Sequence, residues 1–187
     1  MSIGQAFNRF PKERAVIGHI LVGYADLEIS LMHCTHVVRS DLDAVLKAMF
    51  RARGETQRID IADAFARQHY HKLGLGNEFA TAIGTMRYCL KIRNQYSHCL
   101  WHDDNTGKLA FVNLEEIAKE HTLIEDLHGL TRLHVDVPLL LSQVAYFDYT
   151  DDVLAYVNFE GRFRDKKIPS QIRPWPGQLE RPDLCIH

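Results

Sequence analysis

Most signatures that announce a chemistry are missing from this chain. Its four cysteines, Cys34, Cys89, Cys99 and Cys185, form no CxxC pair. That spacing disfavours both a disulfide framework and a zinc ribbon, and it points to reduced thiols. No stretch approaches 18 uninterrupted apolar residues, and residues 1–10 carry no apolar run of signal-peptide length. The expectation is a soluble, cytoplasmic protein with no membrane partner. Neither sign of charge dominates: 22 Lys and Arg stand against 24 Asp and Glu, a formal net charge of −2. A global electrostatic footprint for nucleic acid is therefore excluded, and any RNA contact would depend on a local patch. There is no phosphate-cradling Gly-rich loop, serine elbow or HExxH motif, no internal repeat and no low-complexity segment.

What is present is helical patterning in a chain of 187 residues, 46% hydrophobic and 25% charged, enough for one core. After an N-terminal arm ending at Pro11, residues 13–38 read as a long helix with the stripe Val16, Ile20, Tyr24, Leu27 and Leu31. Gly18 and Gly23 within it read as points where another backbone comes close. Residues 41–53 read as a second helix with Ser40 as N-cap and Gly54 as its end. A third, residues 56–70, carries Ile59, Ala62 and Ala66 on one line and Ile61 and Phe65 on another. Residues 77–100 form a fourth. Cys99–His102 and Lys108–Val112 flank the turn Asp103-Asp104-Asn105-Thr106-Gly107 and read as a β-hairpin. Asn113 and Glu116 predict a capped short helix, and a last long helix runs from Pro138 to about Phe159. The expected fold is all-α, an up-and-down bundle of four to five main helices over residues 1–160, with a small hairpin. Residues 161–187 differ: four prolines and six basic against three acidic residues make a +3 tail on a −5 bundle. This arm is expected to pack on the bundle or on a partner subunit, with Trp175 as anchor.

The fourth helix contains the anomaly. Phe79, Ile83, Met86 and Leu90 lie within about 60° of one another at about 100° of turn per residue, and Arg93 continues their stripe. A guanidinium keeps its proton at ordinary pH, and burying it unpaired is costly. Either a carboxylate meets it, for which Glu28 at the edge of the first helix's apolar face is the candidate, or the stripe opens into an anion-binding cleft. His98 lies one turn past Asn94, within reach of that amide. Arg93 and His98 point about 140° apart on an ideal helix. The helix must therefore end near Ser97, or a second copy must complete the site.

Arg93-Asn94-Gln95-Tyr96-Ser97-His98, an Arg, a polar residue, three more and a His near the end of a core helix, resembles the signature of HEPN domains. The resemblance implies an all-helical homodimer and a ribonuclease working without metal or cofactor, in a toxin–antitoxin or phage-defence setting. His98 would be the general base on an RNA 2′-hydroxyl, the role for which imidazole is the commonest side chain. Arg93 would stabilise phosphoryl charge, and Asn94 would set the imidazole tautomer. Ser97, Glu28 and His102 are supporting candidates, His102 because it leaves the motif and could line the same cleft. A cognate antitoxin or regulatory protein is the further partner implied.

Other constellations are weaker. His33-Cys34-Thr35-His36 and His98-Cys99-Leu100-Trp101-His102 lack the spacing of structural zinc ligands, and no metal is expected. His69-Tyr70-His71 reads as a solvated helix end. Arg51, Arg53 and Arg58 read as an exposed basic helix end, with Asp60 and Asp63 neutralising Arg58 locally. A different class of function fits the same residues: a non-catalytic interaction module, such as an antitoxin or sensor subunit, in which Arg93 and Glu28 form a structural ion pair. A third reading is a nucleotide-binding regulator using the cationic cleft.

Overall fold

In the computed structural model, which describes residues 4–186 other than 121, 122, 124, 125, 127 and 128, proline occupies the first position of the first helix. There its missing N–H is one that no helix would satisfy. That helix, α1, is Pro11–Arg39, preceded by a 3-10 turn, Gln5–Asn8. By length and composition alone α1 is apolar enough to cross a membrane, and its residues Ile17, Ile20, Tyr24, Leu27 and Leu31 are buried within the fold. The other helices are α2 (Leu42–Phe50), α3 (Glu55–Lys72), α4 (Gly76–Ser97), α5 (Leu114–Glu120) and α6 (Val137–Arg164). Three strands, β1 (Cys99–His102), β2 (Leu109–Asn113) and β3 (Leu133–Val135), form an antiparallel sheet in that order. The chain is thus mostly helical but not all-α. The hairpin registers Cys99 opposite Asn113 and His102 opposite Ala110, and β3 adds a third strand with Ala110 opposite His134. With only three residues, β3 carries too short a pattern for alternation to reveal it.

Local chemistry sets the ends of these elements. Ser40 does not cap α2: it adopts a left-handed φ of 55° and ends α1, its N–H bonding His36 O. Asp41 caps α2 instead, its carboxylate accepting from Ala44 N at 3.0 Å. After α3, Gly74 takes φ +71°, where only glycine sits without strain, and Leu75 N closes back on Tyr70 O. α4 stops at Ser97 because the chain enters β1 two residues later. Asn113 caps α5 as expected, its Oδ1 accepting from Glu115 N and Glu116 N. Asp136 caps α6, accepting from Leu139 N.

The chain divides into two compact units, with α1, α4 and α6 contributing to both. The first holds residues 4–22, 91–145 and 181–186. Around its sheet Tyr96, Trp101 and Phe111 form an aromatic cluster with ring centroids 5.4–6.0 Å apart. Gln95 and fully buried Gln143 hold the end of the tail: both side-chain amides donate to Leu184 O, and Gln143 also donates to Asp183 O at 2.8 Å. Ile186 bridges to His134 at the outer edge of β3.

The second unit holds residues 23–90 and 146–180. Tyr70 is fully buried, stacks on Phe79 at 4.6 Å and donates its hydroxyl to Cys34 O at 2.9 Å. Close backbone approach occurs not at Gly18, where an added Cβ would meet nothing within 4 Å, nor at Gly23, where it would just reach Phe147. The close approach is instead at Gly161, and what comes close there is the Tyr70 ring rather than another backbone. Trp175 of the tail packs edge-on against Tyr156 at 5.0 Å, and Arg173 pairs with Asp152 at 3.0 Å.

Candidate active site at the end of helix α4

The last turn of α4 is held from several sides within the first unit. Tyr96 donates to Gln143 Oε1 at 2.7 Å, Ser97 Oγ donates back to Asn94 O at 3.0 Å, and the Cys99 thiol donates to Gln95 O at 2.6 Å. This anchoring terminates the helix at a defined residue and turns His98 outward. The His98 carbonyl accepts from Leu114 N at 3.1 Å, which places the first turn of α5 beside it. The Glu115 carboxylate lies 3.5 Å from His98 Nε2, and both side chains are open to solvent, at 59% for His98 and 50% for Glu115.

Arg93 is half-buried and donates from Nη1 to Asn94 Oδ1 at 3.0 Å. The Asn94 oxygen is thus given to the guanidinium, and the group positioned to orient the imidazole is Glu115. Sequence spacing within α4 pointed to Asn94 for that task. Glu115 was legible only through the hairpin register, which pairs Cys99 with Asn113 and so returns residues 114–116 to His98. Lys119, one turn along α5, lies 4.0 Å from the other Glu115 oxygen.

Glu28 belongs to the second unit, where it is buried and accepts from Arg58 Nη1 at 2.9 and 3.0 Å. Local neutralisation of Arg58 by Asp60 and Asp63 does not occur. Asp60 pairs with Arg87 at 2.8 Å and Asp63 with Arg67. Their spacing from Arg58 along α3 turns them to different neighbours, while Phe50 receives the Arg58 guanidinium on its ring face. Arg51 and Arg53 are exposed. His69 is not a bare helix end: it is half-buried, 3.7 Å from the Asp165 carboxylate.

His102 lines a cleft of about 880 Å³, walled by Gly4–Arg9 on one side and Cys99–Asp103 on the other; Arg93, Asn94 and His98 are not among its lining residues. Among the described residues no group of three or more His, Cys, Asp or Glu side chains is placed to hold a metal ion. No disulfide joins Cys34, Cys89, Cys99 or Cys185. Burial pushes Cys34, Cys89 and Cys99 up to about 12, which removes them as nucleophiles at neutral pH.

The arrangement can do two things chemically. An exposed imidazole beside a carboxylate can accept or deliver a proton, and a guanidinium with a fixed amide partner can bind an anion. No family model, curated protein or solved structure matches this chain.

Proposed function

We propose that this chain is a metal-independent endoribonuclease of HEPN type, built as an up-and-down helical bundle and working as a cytoplasmic homodimer. One observation carries the reading: α4 stops at Ser97, so that His98 emerges exposed beside Glu115, with Arg93 and its Asn94 partner in the preceding turn and a half. Accessibility of both motif residues also favours catalysis over the interaction-module reading, in which apolar side chains would close over them.

His98 accepts the proton of a ribose 2′-hydroxyl while the 2′-oxygen attacks the adjacent phosphorus. The 5′-oxygen leaves with a proton from the His98 of the second copy. Products are a 2′,3′-cyclic phosphate and a 5′-hydroxyl. Arg93 meets the phosphoryl oxygens as charge builds on them, Asn94 fixes the fork of the guanidinium, and Glu115 orients the imidazole. Pairing motif helices across a two-fold axis would supply the second imidazole. A toxin–antitoxin or phage-defence setting, with a cognate antitoxin, fits this activity.

The test is cleavage of RNA in excess chelator. Wild type should leave 2′,3′-cyclic phosphate ends. His98→Ala should lose at least ~10²-fold in rate, the scale of a general acid–base residue, with its melting temperature unchanged. Equal cleavage by the two proteins would assign the activity to a contaminant and reject the reading.

A further inference from the structure

The cleft beside β1 is not used by the proposed reaction, and its walls have a specific chemistry. Its volume of about 880 Å³ falls within the usual range for small-ligand sites, about 300–1,000 Å³. One wall is the N-terminal 3-10 turn and the other is β1, the edge strand of the sheet. Phe7 and Trp101 both line it and are in ring contact with centroids 5.1 Å apart, so that together they form one aromatic wall, and both rings are half-buried. Trp101 is braced from behind by Tyr96 and Phe111, so its indole is a fixed plane rather than a mobile surface group.

Charge sits at the mouth. Arg9 donates from one nitrogen, Nη1, to Asp103 Oδ2 at 2.6 Å and to Asn105 Oδ1 at 2.9 Å. Its side chain remains 61% exposed, which leaves the rest of the guanidinium facing solvent. Arg9 is the basic residue that lines the cleft, and Asp103 opposite it is the acid that holds one of its nitrogens; the open side of the guanidinium is a place for a phosphate, which a neutral apolar occupant would leave unused. An aromatic wall beside a guanidinium is a combination that binds single-stranded nucleic acid, because every base has a face to stack and every linkage has a charge.

The geometry points to this cleft as a base-binding subsite for single-stranded RNA, with an unstacked base on the Phe7–Trp101 wall and an adjacent phosphate on Arg9. This rests on the ribonuclease reading and extends it. Trp101 lies three residues beyond His98, about 10 Å at strand rise, a span of roughly one to two nucleotides of extended strand. The subsite would hold a base next to the scissile linkage and give the enzyme its preference for unpaired RNA.

The test separates binding from cleavage. Trp101 and Trp175 are the two tryptophans, so Trp175→Phe leaves Trp101 as sole fluorophore, and the titrant is a 2′-O-methyl hexanucleotide of mixed sequence, which has no 2′-hydroxyl to attack. A saturable change in Trp101 fluorescence is expected with the single strand and none with its duplex. Phe7→Ala should weaken binding about 5- to 100-fold, the effect of losing one stacked base, whereas Phe7→Tyr should retain it. Arg9→Gln should reduce the salt slope by about 0.7. Circular dichroism melts establish that each variant is folded.

No fluorescence change at millimolar oligonucleotide, or equal affinity for folded Phe7→Ala and wild type, would overturn the subsite. Loss of the signal in His98→Ala would also overturn it, by moving the contact to the motif. Cleavage without a Trp101 signal rejects the subsite alone. A Trp101 signal in a protein that never cleaves keeps the subsite and rejects the ribonuclease.

Discussion

Replacing Gly161 by alanine should destabilise this protein, although the same change would stabilise an isolated helix. Gly161 is buried within α6, and an added Cβ would lie 2.7 Å from Tyr70 Cε1 and 3.6 Å from both Cζ and the hydroxyl. Ordinary contact begins near 3.4 Å, so the ring would have to retreat by about 0.7 Å in a core packed as densely as a crystal. Tyr70 has little room to do so. Its ring stacks on Phe79 and its hydroxyl is tied to Cys34 O. Overpacking costs about 1–3 kcal/mol, and loosening the tyrosine hydrogen bond adds about 1. Alanine returns about 1 kcal/mol of helix propensity. The net loss is about 2 kcal/mol, a fall of roughly 4–8 °C in melting temperature for a chain of this length. Gly84 in α4 is the internal control, because its Cβ would meet nothing within 4 Å. Gly84→Ala should gain up to about 1 kcal/mol. Urea denaturation followed by circular dichroism reads both. If Gly161→Ala proves as stable as wild type while Gly84→Ala gains, Tyr70 is not pinned and the reasoning fails.

Further outcomes are expected. Arg93→Lys should abolish RNA cleavage nearly as fully as His98→Ala, because a point charge cannot reproduce the bidentate fork; retained activity would reduce Arg93 to a bulk charge. Light scattering at micromolar concentration should give a dimer, whose interface should bury on the order of 1,200–2,000 Å²; a monomer would remove the shared site. The Thr106 hydroxyl, with help from His134, lowers the Asp104 carboxyl to about 2. Stability from this group is complete above its ordinary range near 3.8 and is lost as pH falls towards 2. The urea midpoint of wild type should therefore drop more steeply than that of Asp104→Asn between pH 4 and 2, and parallel curves would contradict the coupling. Cys34 and Cys89 should resist iodoacetamide at pH 8 until the protein unfolds, as read by mass spectrometry, since burial suppresses both thiolates; labelling of the folded protein would show that these thiols open locally.

The helices were legible in the sequence wherever an element carries its own signal. The apolar stripes at helical spacing located α1, α3, α4 and α6 to within a few residues, except that α6 continues past Phe159 to Arg164. The Asp-Asn-Gly turn located the hairpin, and Asn113 announced the cap of α5. These signals are local because they arise from backbone sterics and hydrogen bonds among near neighbours. Arg93 was visible for the same reason: a charge on an apolar stripe violates the helix's own periodicity.

Partnership, by contrast, was decided by tertiary structure. Glu28 meets Arg58, thirty residues away along the chain. Asn94 gives its oxygen to Arg93, and Glu115 stands by His98. Gly161 rather than Gly18 is the close approach, and β3 joins the sheet on three residues. Each of these depends on which of several chemically equivalent side chains arrives within about 3 Å, and that distance is set by how distant segments pack. A sequence states what a residue can bond and which face of its own helix it occupies. The neighbour that claims it is fixed only when the chain closes on itself.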